Sequence, residues 1–110
     1  MKVFAVLVLA VVVYNHEAEA VACNRWTKFY SRDLPTATAD NEELDLIRHE
    51  NPRDNICAVP SRIEVRTVDG VDYRDAGQVV KIGPTFGFLC LNADQPDGTC
   101  LDYKVRFCCP

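Results

Sequence analysis

Residues 101–109 read Leu-Asp-Tyr-Lys-Val-Arg-Phe-Cys-Cys, and the expected fold is built around this segment. Apolar and polar residues alternate along it, which is the period of a β-strand with one buried face. The apolar face consists of Leu101, Tyr103, Val105 and Phe107. The polar face consists of Asp102, Lys104 and Arg106. Cys108 and Cys109 follow, and adjacent strand residues point to opposite faces, so we expect them to form disulfides with different partners.

Three segments upstream also have strand patterns. Residues 62–66 alternate polar and apolar side chains, and Asp69-Gly70 after them is typical of a tight turn. Residues 78–82 are rich in β-branched side chains, and residues 86–91 form a further apolar run. Together with residues 101–109, these segments predict short strands joined by turns and loops.

A short helix is the other candidate element. Asp40 precedes Leu44 and Ile47, whose spacing fits one face of a helix that Asp40 caps and that runs through Arg48. An irregular turn explains the same two apolar positions. The remaining polar segments are expected to be loops, at residues 31–39, 51–55 and 92–98. The fold class expected is mainly β: a small disulfide-stabilised antiparallel β-sandwich-like domain with long loops and at most one short helix.

The N-terminal segment predicts secretion. Residues 1–20 have a charged start, an apolar run at residues 3–14 and small residues at Ala18 and Ala20, as in a cleaved signal peptide. Cleavage after Ala22 is the alternative. A membrane anchor is disfavoured because the apolar run is shorter than the ~20 residues that a bilayer crossing needs. We therefore expect one secreted, extracellular domain at residues 21–110, which is not anchored to a membrane.

All six cysteines of the chain lie in that domain. An even number of cysteines in a short secreted chain predicts three disulfides, and the sequence leaves fifteen pairings open. Zinc is disfavoured because there is no C-x-x-C pair and His49 is the one histidine after the signal peptide. The predicted disulfide residues are Cys23, Cys57, Cys90, Cys100, Cys108 and Cys109.

Charge and composition argue against several functions. The formal net charge is −4, and lysines and arginines are scattered among acids along the sequence, so nucleic-acid binding is disfavoured. The acidity also argues against a membrane-disrupting peptide. The one histidine after the predicted signal peptide and the oxidised cysteines offer no base–nucleophile pair for catalysis. We expect a protein that is not an enzyme.

Several short motifs together resemble the WxxW, or CysD, domain of gel-forming mucins and cartilage intermediate layer proteins. The resemblance covers essentially all of residues 21–110 in the family's order, and the closing run after Gln78 is its most specific part. The motifs are Cys23-x-x-Trp26, Cys57-x-x-Pro60, Gly77-Gln78-Val79-Val80, Gly87-x-Leu89-Cys90, Asn92-x-Asp94-Gln95 and Asp102-Tyr103-x-Val105-Arg106 before Cys108-Cys109.

This chain departs from that family at three positions. The family typically has cysteines where Val65 and Ile82 stand, and we expect that a Val–Ile contact here replaces a family disulfide. The family's motif also resembles a C-mannosylation signal on its first tryptophan. Because Phe29 replaces the second tryptophan, we expect Trp26 to be unmodified.

The resemblance implies calcium as the one cofactor. Asp40 and Glu42 match the family's acidic pair, and Asn92 and Asp94 match its loop before the last strand. Calcium prefers six to eight oxygen ligands, which these side chains and backbone carbonyls would supply. The alternative is that Asp40 caps a helix and that Asn92 and Asp94 build a turn.

The resemblance implies a structural or interaction module of mucus or extracellular matrix that mediates calcium-assisted, non-covalent protein association. The expected partner is an extracellular protein, a mucin or matrix polymer, or a second copy, with Trp26, Phe29 and Tyr30 as the contact patch. The alternatives are a soluble developmental or host-defence factor that binds a receptor or glycan, and a component of a biomineral matrix.

Overall fold

The strand predicted at residues 101–109 is the central strand of one of two antiparallel sheets. The computed structural model describes residues 22–32 and 35–110, so the predicted signal peptide at residues 1–20 lies outside the described residues. The first sheet has the order β1-β6-β3, with β1 at Arg25–Trp26, β6 at Tyr103–Cys109 and β3 at Arg62–Thr67. The second has the order β2-β5-β4, with β2 at Ala39–Glu43, β5 at Gly87–Leu91 and β4 at Val80–Gly83.

Helical structure is a minor part of the described residues. They contain one α-helix, α1 at Leu44–Glu50, and two single 3-10 turns, at Tyr73–Asp75 and Asn92–Asp94. None of these elements has the length and apolar character needed to cross a membrane. The expected fold class, a mainly β domain with at most one short helix, is confirmed.

The core lies where the inner faces of the two sheets meet α1. Tyr103, Val105 and Phe107 of β6 are fully buried, as the alternation in the sequence predicts. The ring of Phe88 on β5 lies 4.5 Å from the ring of Tyr103, centroid to centroid, and joins the second sheet to the first. Burial of each such side chain contributes roughly 1.5–3 kcal/mol to folding. Leu44 and Ile47 of α1 close the core, as their spacing predicts.

Three disulfides fix the strands around β6. Cys23 is bonded to Cys108, and Cys57 is bonded to Cys109, so the two adjacent cysteines have different partners and that prediction is confirmed. The third disulfide joins Cys90 on β5 to Cys100, just before β6. Two of the three bonds therefore end on the last two residues of one strand.

The helix predicted to begin with an Asp40 cap is wrong in its first half. Residues 39–43 form β2, which pairs with β5 from Ala39 opposite Leu91 to Glu43 opposite Gly87. The Asp40 carboxylate accepts a hydrogen bond from the backbone N–H of Tyr103 and does not cap a helix. The chain turns helical only at Leu44, because pairing with β5 satisfies the backbone groups before it.

Gly87 allows this change from strand to helix. Its φ is +101°, and a Cβ there would lie 2.5 Å from the backbone nitrogen of Leu44 and 2.6 Å from the carbonyl oxygen of Glu42. Any larger residue would push β5 away from the point where β2 becomes α1.

Two predicted strand boundaries also move. β4 begins at Val80 because the Gln95 side-chain amide bonds both backbone groups of Val79, accepting from its N–H and donating to its C=O. Leu101 lies outside β6 and is exposed, since its backbone N–H donates to Oε1 of Gln78 and not to a neighbouring strand. In both places a glutamine side chain makes the backbone hydrogen bond that the alternating pattern led us to expect from a neighbouring strand.

We expect that Val65 and Ile82 stand where the family has a disulfide, and the structure allows this to be tested. Val65 is buried, Ile82 packs against the core, and both side chains line one cavity between β3 and β4. We expect Val65→Cys with Ile82→Cys to form a fourth disulfide and to raise the free energy of unfolding by about 2–4 kcal/mol. Thiol titration and denaturant unfolding measure the two effects. Each single substitution is the control and should show one free thiol. Two free thiols in the double variant would contradict the replacement.

Candidate functional site

Two buried carboxyl groups lie side by side on β2. Asp40 and Glu42 are separated by one residue and so share the strand face that is turned away from solvent, where they are 1% and 0% exposed. Asp40 accepts from the N–H of Tyr103 at 2.7 Å, and Oε1 of Glu42 accepts from the N–H of Arg32 at 2.8 Å. These bonds tie β2 to β6 and to the segment after Tyr30.

Burial sets the protonation state of this pair. Removal from water raises the pKa of Glu42 to about 9, while the hydrogen bond from the Arg32 N–H lowers it and the charge of Asp40 raises it further. Glu42 is therefore protonated at neutral pH, on the same strand face as Asp40. Two adjacent carboxylates would repel each other, and the retained proton removes that repulsion.

The other two predicted calcium ligands lie in the turn after β5. Asn92 accepts from the N–H of Cys100 through Oδ1 and donates to the C=O of Ala37 through Nδ2, so its amide joins the segment before β2 to the segment before β6. Its backbone N–H also donates to the C=O of Thr38. Asp94, two residues later, is exposed.

The structure thus brings together two of the four predicted ligands. Within residues 22–32 and 35–110, no group of three or more histidine, cysteine, aspartate or glutamate side chains is placed to hold a metal ion. Asp40 and Glu42 converge, Asn92 is engaged with backbone groups, and Asp94 does not join them. The described carboxyl groups do not by themselves form a complete calcium site, and calcium binding stays a prediction.

The predicted aromatic contact patch divides between two faces. Trp26 is 36% exposed, with the Arg106 guanidinium 4.5 Å from its ring centroid. Phe29 is half-buried beneath Lys104 and Arg106, at 4.8 and 4.9 Å. Tyr30 is 6% exposed and bonds through its hydroxyl to Asp54, so it belongs to the core and cannot serve as a contact surface. The side chains of Trp26 and Phe29 mainly contact cations.

An apolar groove that was not predicted from the sequence lies at one end of the first sheet. Its aliphatic walls are Val68, Val71, Ala76 and Leu101, and its volume is about 560 Å³. Val68, Val71 and Leu101 are each 44–45% exposed. A valine on each side of the Asp69-Gly70 turn was the one signal in the sequence, because turn residues are usually polar.

The buried carboxyl pair predicts a specific pH dependence of stability. Glutamate in the unfolded chain loses its proton near pH 4.5, whereas Glu42 in the folded protein keeps it to about pH 9. Stability from this group is therefore complete below pH 4.5 and is lost as the pH rises toward 9, by up to about 1.4 kcal/mol per pH unit. In chelator, we expect Glu42→Gln to flatten the decline in melting temperature between pH 5 and 9.

Glu43→Gln is the matched control, since Glu43 is the next residue of β2 and points to the other face. It should keep the slope of the unsubstituted protein. Equal slopes for Glu42→Gln and the unsubstituted protein would mean that Glu42 is ionised in the folded state.

Comparisons with known proteins agree with the resemblance in the sequence. The family model described as the Mucin-2 protein WxxW repeating region matches residues 26–109. Cartilage intermediate layer protein 1 of Homo sapiens is 44% identical over 86 residues, which are 77% of this chain and 7% of that protein. Cartilage intermediate layer protein 2 of Homo sapiens is 39% identical over 88 residues, 79% of this chain and 8% of that protein. Mucin-2 of Homo sapiens is 31% identical over 93 residues, 79% of this chain and 2% of that protein. The chain spans less than a tenth of the length of these relatives.

Proposed function

Because the chain belongs to the family of the Mucin-2 WxxW repeating region, we propose that it is a secreted, non-enzymatic module of mucus or extracellular matrix that mediates non-covalent protein association. The relatives are by name a mucin and proteins of a cartilage layer, which supports an extracellular setting. The match covers a small part of each, so the proposal concerns the domain alone.

The apolar groove carries the proposal of association. Three aliphatic side chains that are nearly half exposed meet there, and covering them with a partner would remove apolar surface from water. The groove lies at the end of the first sheet opposite Cys108 and Cys109, so a partner seated there would not disturb the disulfides. We propose a second copy of this chain as the partner.

The described side chains also support a non-enzymatic role. All six cysteines are in disulfides, so no thiolate is available as a nucleophile. His49 is exposed on α1. Asp40 and Glu42 would be the natural acid–base pair, but they are excluded from solvent and so have no access to a substrate.

Sedimentation of the oxidised protein tests association through the groove. We expect a concentration-dependent dimer or larger species, and we expect Val68→Ser with Leu101→Ser to shift it to monomer because two apolar groove walls become polar. Val59→Ser with Val79→Ser is the matched control. Val59 and Val79 are exposed aliphatic residues outside the groove, and their replacement should leave association unchanged. A monomer at every concentration, in calcium and in chelator, would exclude self-association as the function.

Calcium assistance is the finer part of the proposal, and what supports it is the match of Asp40, Glu42, Asn92 and Asp94 to acidic and amide positions of the family to which the chain belongs. We expect calcium to raise the melting temperature and to increase association, since a ligand that binds only the folded state stabilises it by mass action. Asp40→Asn should abolish both effects of calcium. Asp97→Asn, at an exposed loop position, should retain both. If the melting and sedimentation curves of the unsubstituted protein are identical in calcium and in chelator, calcium has no role in association.

A further inference from the structure

Strand pairing collects basic side chains on the outer face of the first sheet. Cations that are scattered in the sequence become neighbours because Arg66 lies opposite Lys104 and Glu64 lies opposite Arg106. Four cations and one carboxylate give this strand face a net charge of +3, on a chain whose formal charge is −4. The outer basic face, as we define it, consists of Arg62, Arg66, Lys104 and Arg106, with Glu64 among them and the rings of Trp26 and Phe29 beside them.

Contacts within the outer basic face hold three of its four cationic side chains in place. Arg106 lies against the rings of Trp26 and Phe29 and ion-pairs with Glu64 at 2.6 Å. Lys104 lies over Phe29, and Arg66 bonds the second oxygen of Glu64 at 2.6 Å. Side chains that are ordered before a ligand arrives lose less conformational entropy on binding it.

Acidic residues at the border do not neutralise this face. Asp72, beside Arg66, pairs with Arg74, and Asp54 pairs with Lys28. One carboxylate oxygen of Asp102, which precedes β6, is buried. The excess of positive charge on the outer basic face therefore remains available to a ligand.

We propose that the outer basic face binds the sulfate groups of a linear sulfated polysaccharide. Guanidinium groups bind tetrahedral oxyanions through two parallel hydrogen bonds. Lys104 and Arg106 are alternate residues of β6, roughly 6.8 Å apart, and Arg66 lies opposite Lys104, so these three cations form a cluster along which an extended polyanion can lie. Of the function proposed above, this inference uses only the extracellular location, and it does not depend on self-association through the apolar groove.

Features of the same face argue against other polyanions. Single-stranded nucleic acids need free aromatic rings on which bases stack, and the rings of Trp26 and Phe29 are covered by cations. A stable acidic protein partner needs an apolar centre in its interface, whereas the apolar groove lies at the end of the sheet, outside the outer basic face. A flexible chain of sulfated sugars requires neither.

Binding of the oxidised full-length protein to heparin, measured by titration calorimetry at physiological salt, tests the proposal. We expect Arg62→Gln with Lys104→Gln to raise the dissociation constant by about tenfold or more, since charge-assisted hydrogen bonds are lost. The salt dependence should become shallower by roughly 2 in its log–log slope. Arg53→Gln with Lys81→Gln is the matched control. It makes the same change in net charge at exposed positions away from the face and should keep the dissociation constant within about twofold.

Three outcomes would overturn the proposal. Equal weakening by both double variants would show that only the net charge matters. Equal affinity for fully desulfated heparin would exclude sulfate recognition. Binding of poly-glutamate or duplex DNA as tight as that of heparin at the same salt concentration would exclude a polysaccharide-specific face. Because Arg62 and Lys104 lie outside the apolar groove, sedimentation of the same variants distinguishes failure of this proposal from failure of self-association.

Discussion

Most of the structure depends on β6, because each of its last two residues forms a disulfide with a distant part of the chain. Cys108 is bonded to Cys23, 85 residues away, and Cys109 to Cys57, 52 residues away. In the chain-entropy model, closing loops of these lengths removes roughly 4 to 5 kcal/mol each from the stability of the unfolded state. Net stabilities of small domains are about 5–15 kcal/mol, so contributions of this size are a large share of the total. β1 and β3 lie beside β6 because a cysteine shortly before each of them, Cys23 and Cys57, is bonded to the end of β6.

The sequence predicts β6 well because local alternation and burial agree there. It predicts β2 poorly, because the inward positions of that strand are occupied by Asp40 and Glu42, and a polar residue at a buried position reads as an exposed one. The outer basic face escaped prediction for a different reason. Arg62 and Arg66 are about forty residues from Lys104 and Arg106 in the chain, and only the register of β3 against β6 makes them neighbours. The apolar groove likewise forms from segments on both sides of β4 and β5.

One acidic pair and one basic cluster lie at different depths in this molecule. The pair on β2 turns inward, where Asp40 accepts from the backbone of β6 and so connects one sheet to the other. The cations of β3 and β6 turn outward, held by Glu64 and by aromatic rings. The formal charge of −4 therefore describes the surface of the first sheet poorly. A ligand meets the local charge, and the fold, not the composition, determines that local charge.

The pairing of β1 with the end of β6 also determines how the domain would respond to tension. Arg25 lies opposite Cys109, so both ends of the domain leave from the same end of the first sheet. A pull on those ends would pass from Cys23 through the sulfur–sulfur bond to Cys108, bypassing every residue between them. Within a stretched polymer the tension would run through this disulfide, and the residues between Cys23 and Cys108 would carry none of it. The domain could not unravel to lengthen that polymer unless this one bond were first reduced.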